Sequence, residues 1–339
     1  MSGDQVDIPL LALHQLKPGQ IADVYALLEE KEKAITRDGK PYYTCRFRDR
    51  HRSASCMVWA NSQWFAPCDQ EWQEGRCYRL RVMYDEHERF GPQLELFLIR
   101  PVQDRDYKEG FDPSILFEAS RHDPDKMYRE LMDLAEHAIG HAGLKRLVVE
   151  LLHTYADKLR SMPASAREFY PFYGGWLEHV LSVARLCSLV VQYYRDFYAD
   201  ARPPLNADLV LAAAMLHELG RVEELTTDGS STQVTVPGRL FGRCLLAYKL
   251  VHDAGQKIPE LDAETLQLLE HIILSHLELP EWGSPRLPLI PECLILHHLD
   301  DLDAKMEMYQ RCLRKDTSPG PFTYRDPVLG KPLLKARNL

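Results

Sequence analysis

The spacing of apolar positions changes its period once along the chain, and that change divides it. From Gln20 to about Val102 apolar and polar residues alternate in short runs, as in Tyr42-Tyr43-Thr44-Cys45-Arg46-Phe47-Arg48 and Cys77-Tyr78-Arg79-Leu80-Arg81-Val82. Period two means strands with one buried face. Arg37-Asp38-Gly39-Lys40 lies between two such runs, and Asp-Gly supplies the positive backbone angles of a tight hairpin turn. A small, curled, all-β domain is predicted. After the polar stretch Gln103 to Asp112 the period becomes helical: Leu131, Leu134, Ala135 and Ala138 form one stripe, and Leu147, Leu151 and Leu152 the next. Further helices are predicted over Trp176 to Tyr194, Asn206 to Leu219 (Asn206 as N-cap, Gly220 as stop), Arg239 to His252, Ala263 to Leu277 and Pro291 to Arg314. The C-terminal part therefore reads as all-α.

The chain has 339 residues, 45% hydrophobic and 27% charged, enough for two ordinary globular domains. Its formal charge of -9 excludes a protein that coats nucleic acid by charge alone, so a polyanion must meet a local basic patch. Eight scattered cysteines with no CxxC pair read as reduced thiols. Residues 1 to 20 lack a leader pattern, and no run approaches the roughly 18 apolar residues of a membrane helix. A soluble cytoplasmic protein without membrane contact is expected.

The chemistry concentrates in three places. His217 and Glu218 stand side by side at the end of an apolar helix. His179 and Asp300 lie on two other apolar helices. A transition metal can satisfy imidazole and carboxylate together, and separate helices can each offer one inward ligand to a single ion. Taken singly, each has a plainer reading: a solvated helix end for His217-Glu218, a hydrogen-bonded core histidine for His179, a cap or salt bridge for Asp300.

In order, His179, His217-Glu218 and Asp300 resemble the H…HD…D signature of HD-domain phosphohydrolases, with Glu in place of Asp. The segments Met162-Pro163-Ala164-Ser165, Gly174-Gly175-Trp176-Leu177-Glu178-His179, Ile272 to His276, Glu281-Trp282-Gly283-Ser284-Pro285 and Leu302 to Met306 are similar to the YhaM-type 3′-to-5′ exoribonucleases. Lys31-Glu32-Lys33, Asp38 to Tyr42 and Val58-Trp59 echo the N-terminal OB-fold of that family, so the similarity spans roughly residues 18 to 335. The resemblance implies a multi-domain α and β chain: an OB-fold β-barrel over 1–105, a helical connector over 106–165, an all-α HD domain over 166–315 and a tail over 316–339.

It also implies one divalent metal ion, Mn2+ first and otherwise Mg2+, Fe2+ or Zn2+, held by His179, His217, Glu218 and Asp300. That ion would activate water against the 3′-terminal phosphodiester of single-stranded RNA or DNA, with Arg221 on phosphate; assembly into a homo-oligomer is compatible with it. Arg243 and Leu277 replace two histidines the family places around a second metal, leaving His276. Neither a protonated arginine nor leucine can ligate a cation, so one ion is expected, with Arg243 supplying positive charge instead. Phe169-Tyr170 replaces a further His pair. Two other readings stay open: an HD scaffold that binds single strands without cutting them, and a hydrolase of free nucleotides.

For the strand itself, Lys40, Tyr42, Arg46, Arg48 and Trp59 are the candidate contacts, the aromatics to stack bases and the basic groups to meet phosphate. Arg46 and Arg48 share a strand face by parity; Arg50 and Arg52 extend the cluster and Asp49 dilutes it. Tyr193, Tyr194 and Phe197 read as packing, His271, His297 and His298 as interior or ligand-orienting groups, and Glu178 as a solvent-facing acid.

Overall fold

A computed structural model describes residues 8–36, 38–50, 52–87, 91–111, 116, 118–227 and 232–335. They form two compact units, one up to residue 119 and one from residue 120 onward. The boundary falls inside the stretch read as a helical connector.

The first unit is a barrel of β2 (Ile21–Ile35), β3 (Pro41–Arg48), β4 (Ser53–Trp59), β5 (Cys77–His87) and β6 (Gly91–Pro101). The short β1 (Leu10–Ala12) runs parallel to β2, and α1 (Phe65–Gln70) lies between β4 and β5. Strand order is β2-β3-β4-β6-β5, and β2 pairs again with β5 to close the ring. β2 can do both because it is 15 residues long: Ile21–Leu27 pair with β5, Leu27–Ile35 with β3, and the register shifts between Leu28 and Glu30. A five-stranded Greek-key barrel with a parallel third-to-fifth strand pair is the OB architecture. The turn after β2 has Gly39 at φ +82°, as Asp-Gly predicts; Arg37 lies outside the described residues. Alternation holds as expected, with Tyr43, Cys45 and Phe47 inside and Tyr42, Thr44, Arg46 and Arg48 outside. All eight cysteines are free thiols.

This unit runs past Pro101 because α2 (Asp104–Lys108) is pinned to the barrel. The buried Asp106 carboxylate accepts from Arg100 at 2.6 Å and from the Tyr25 hydroxyl, and Arg48 donates to the Leu116 carbonyl. Arg100 and Tyr25 thereby hold the Asp106 acid far below the usual carboxylate range.

The second unit contains α3 (Pro124–Ala138), α4 (Ala142–Thr154), α5 (Ala156–Ser161), α6 (Gly175–Phe197), α7 (Ala207–Leu216), α8 (Arg221–Glu224), α9 (Val236–Gly255), α10 (Ala263–Ser275) and α11 (Pro291–Lys315). It is not purely helical: β7 (Leu225–Thr227) and β8 (Thr232–Val234) form a two-stranded ribbon, too short for a period-two pattern to reveal. Leu209 to Leu216 are buried without exception, so α7 is apolar all round and runs through the middle of the core. Asn206 caps it as predicted, its side chain accepting from the amides of Asp208 and Leu209.

Two expectations need correction. Tyr193, Tyr194 and Phe197 are 60%, 39% and 64% exposed and stack on one another and on Tyr198, because α6 continues past Val191, its last buried residue. Since α7 ends at Leu216, Gly220 is not the residue at which it stops. Its backbone is right-handed helical, and the position needs glycine because a Cβ would lie 2.0 Å from the Arg243 carbonyl. That close approach sets the segment after α7 against α9. No helix among the described residues is long and apolar enough to cross a membrane.

Candidate metal centre

Three helices bring the predicted residues together. His179 is in the second turn of α6, His217 caps the C-terminus of α7, and Asp300 lies midway along α11. One ligand atom from each lies within 4.8 Å of the other two, and all three residues are buried. The Trp176 indole fastens α6 to the end of α7 by donating to the Glu218 carbonyl at 2.9 Å.

The tautomers follow from the partners. His217 Nδ1 is 2.9 Å from the Ala214 carbonyl, and His276 Nδ1 is 2.8 Å from that of Ile273. A carbonyl only accepts, so each Nδ1 carries the hydrogen and each Nε2 keeps its lone pair. His179 Nδ1 likewise faces the Asp303 carboxylate at 2.9 Å. The three Nε2 atoms and Asp300 Oδ1 are buried and make no hydrogen bond. His179 Nε2 lies 3.1 Å and His217 Nε2 3.5 Å from Asp300 Oδ1, neither in a direction that makes a hydrogen bond. Buried polar atoms left bare at one spot cost stability unless a ligand satisfies them, and two imidazoles with a carboxylate are a donor set for a divalent transition metal. The residues fit the ion.

Burial alone would lower the basicity of His179, but Asp300 and Asp303 outweigh it and raise its pKa to about 9. His276, buried beside His217, is pushed down to about 4 and stays neutral at physiological pH. Its ring centroid is 5.2 Å from that of His217, in an edge-to-face arrangement.

Glu218 is not in the cluster. Arg221 Nε bonds one carboxylate oxygen at 2.5 Å and Arg243 Nε lies 2.7 Å from the other, so both oxygens are engaged away from the ligand atoms. Burial would raise the Glu218 pKa, but the two arginines overcome it and lower it to about 2. Arg221, expected on phosphate, is 7% exposed at its side chain and spans Glu218 and Glu224. Arg243 reaches Glu218 because α9 is interrupted at Gly242, whose φ is +69°. It is 22% exposed at its side chain, which makes it the better placed of the two for an anion.

Asp303 escaped the sequence reading. It holds His179 Nδ1 and also accepts from Ser182. Its signal was the i, i+3 spacing from Asp300, which places both on one face of α11. Phe169 and Tyr170 pack on the His179 ring at 5.0 and 5.4 Å between centroids and fix its tilt. Glu178 is not solvent-facing; Ser120 donates to it at 2.6 Å. His271 accepts from the Leu289 amide, His298 is exposed, and His297 bonds the His276 carbonyl.

The basic group on the barrel is partly neutralised. Arg46 pairs with Glu29 and Glu30, and Arg48 with Glu29 at 3.3 Å. Arg52 is committed to the carbonyls of Leu13 and Leu16, while the buried Asp49 accepts from the Arg52 amide and so organises the turn. Arg50 reaches the Ala119 carbonyl. Lys40 stays exposed, 3.7 Å from Asp38. Tyr42 and Trp59 face one another across β3 and β4 with ring centroids 5.1 Å apart, and Trp59 is 46% exposed.

The helical core and the His/Asp cluster define an HD-type domain, and the HD domain family model matches residues 176–305. The chain is 30% identical over 319 residues to the 3′-5′ exoribonuclease YhaM of Bacillus licheniformis, covering 93% of this chain and 94% of the relative. To that of Bacillus velezensis it is 31% identical over 316 residues, with the same coverage. The chain belongs to the YhaM family. Among solved structures, the second OB-fold domain of replication protein A from Methanococcus maripaludis matches 28% of this chain and 96% of its own, at 14% identity and a TM-score of 0.22; the barrel assignment rests on strand order instead.

Three outcomes are expected. A cation on His179 Nε2 must displace a proton held with a pKa of about 9, so Mn2+ affinity, measured by titration calorimetry, rises about tenfold per pH unit below pH 9. Asp303→Asn lowers that affinity by about 10- to 100-fold at constant pH, the usual cost of losing a ligand's orienting acceptor. In the charge clamp, Arg243→Leu leaves the buried Glu218 with half its compensation and destabilises folding by about 3–5 kcal/mol in urea titrations, whereas Glu218→Gln combined with Arg243→Leu recovers much of the loss.

Proposed function

We propose that the protein is a metal-dependent 3′-to-5′ exonuclease of single-stranded nucleic acid, RNA foremost, that hydrolyses phosphodiesters in its HD domain. The observation that carries this reading is the convergence of Nε2 atoms of His179 and His217, both without a hydrogen-bond partner, on Asp300 Oδ1, in a chain 30% identical to named 3′-5′ exoribonucleases over nearly its whole length. His179, His217 and Asp300 would hold one divalent ion, Mn2+ before Mg2+, Fe2+ or Zn2+. Such an ion supplies a lowered pKa for water and positive charge for phosphate oxygens.

The chain's own residues set the rest. Arg243, anchored through Nε to Glu218, would offer its outer guanidinium nitrogens to a phosphate oxygen and stabilise charge that grows during hydrolysis. Arg221 holds the Glu218 carboxylate and so keeps Arg243 in place. His276, neutral and unpaired at Nε2, can accept a hydrogen bond from an incoming hydroxyl. On the barrel, Tyr42 and Trp59 provide ring faces and Lys40, Arg46 and Arg48 provide charge for the strand. Exposed ion pairs such as Arg46–Glu29 are worth only about 0–1 kcal/mol and yield to phosphate.

The second reading, a strand-binding protein without hydrolysis, is favoured by one observation: Glu218 is clamped by arginines instead of facing the ligand atoms. A 5′-labelled single-stranded RNA incubated with Mn2+ decides between them. Stepwise shortening from the 3′ end by the wild-type chain, absent in His217→Ala, is expected. Binding without shortening by metal-loaded protein would establish the second reading, and activity on mononucleotides alone would point to free nucleotides as substrate. The combined change Arg46→Ala, Arg48→Ala is expected to weaken single-strand binding and reduce its salt slope by about one to two; an unchanged slope would remove this face from the binding surface.

A further inference from the structure

Residues 277–289 form the connection between α10 and α11 and contain the Glu281-Trp282-Gly283-Ser284-Pro285 segment, which the hydrolytic site does not use. Its centre is an indole that a globular protein would ordinarily bury: Trp282 is 55% exposed. One ring face is already occupied. The indole lies parallel to the His297 imidazole, with 5.9 Å between centroids and 10° between planes.

His297 is buried and held at both ring nitrogens. Nδ1 donates to the His276 carbonyl at 2.7 Å, and the Glu278 carboxylate lies 3.1 Å from Nε2. Glu278 reaches it from a left-handed backbone, φ +66°, a conformation that costs energy for a non-glycine residue. The turn bearing Trp282 is equally fixed. Gly283 takes φ +94°, its amide and that of Trp282 donate back to Pro280 and Leu279, and the buried Ser284 hydroxyl bonds to the segment at Leu274 and Arg286. An aromatic ring more than half exposed is thus held in a hydrogen-bonded turn, with one face set against His297.

Its place along α11 gives the ring a use. His297 precedes Asp300 by three residues, less than one helical turn or about 4.5 Å along the axis, and His276 joins the His297 ring to the metal cluster. A phosphate at the Asp300 level therefore has the indole within about one nucleotide's reach. We infer that Trp282, propped on His297, is the stacking platform for a nucleobase next to the scissile phosphodiester. This deepens the exonuclease reading and rests on it. Stacking accepts any base, because each has a π face, so the platform positions the strand without reading its sequence. Trp282 is a binding residue, and His297 and Glu278 position it.

The test compares two 5′-labelled oligoribonucleotides, one complete and one with abasic residues at its last two positions, cut by wild-type protein, Trp282→Ala and Trp282→Phe with Mn2+ present. The wild type is expected to favour the complete strand by about tenfold in kcat/KM, the size of one base–aromatic stack. Trp282→Ala should lose that preference while retaining Mn2+ binding, and Trp282→Phe should keep most of it. A merely structural role for Trp282 would lower both substrates together and preserve their ratio. An alanine variant that still discriminates overturns the platform while leaving the exonuclease reading intact. If metal-loaded wild type cuts neither strand, the exonuclease reading fails; the affinities of the two strands for wild type and Trp282→Ala then decide the platform, which is overturned if their ratio is the same in both proteins.

Discussion

The hydrogen bond from Nδ1 governs the centre. Each of three buried imidazoles spends that hydrogen on a fixed acceptor, Ala214 for His217, Ile273 for His276 and Asp303 for His179. Each ring is thereby fixed in direction, the tautomers of His217 and His276 follow from their carbonyl partners, and Nε2 of His179 and His217 is turned towards Asp300. Two of the acceptors are backbone carbonyls three residues earlier, at the ends of α7 and α10, where helical carbonyls lack amide partners. Helix termini therefore do the orienting, and the apolar helices that end there, α7 above all, provide the rigidity. Moving either terminus by one residue would rotate its lone pair out of the site.

A second constraint follows from the charge left over. Glu218 adjoins His217, and a buried carboxylate without compensation would be intolerable in this core. Arg221 and Arg243 supply the compensation, and Gly220 and the break at Gly242 allow Arg243 to come close enough. The extra methylene of glutamate lets the carboxylate extend to the arginines while its backbone carbonyl still receives the Trp176 indole. Glutamate at this position and arginine at 243 are therefore one feature, and together they place a fixed organic cation beside the residue that follows His217 in the cluster.

Much of this was legible before any coordinates. Period-two alternation located the barrel and put Tyr42, Arg46 and Arg48 on its outer face, and helical periodicity found the five long C-terminal helices to within a few residues. His179, His217 and Asp300 could be named because polar residues on strongly apolar helices need partners. Other features could not be read because their causes are nonlocal. That Glu218 turns to arginines instead of the ligand group depends on where α9 packs. That α6 outruns its core, leaving Tyr193, Tyr194 and Phe197 in solvent, depends on how far its neighbours extend. Arg52 read as an extension of the basic cluster and is spent on two carbonyls of its own barrel.

The two units illustrate opposite uses of arginine. On the barrel, Arg46 and Arg48 sit in weak, exposed ion pairs with Glu29 and Glu30, which water screens and a phosphate can replace at little cost. In the helical unit Arg221 is locked between Glu218 and Glu224, and releasing it would strand two buried acids. Arg243 lies between these extremes, anchored at Nε yet partly exposed at its far end. An arginine held at one end loses less side-chain entropy on meeting an anion than one that must first be ordered, and Arg243, at 22% side-chain exposure against 7% for Arg221, is the more accessible of the two.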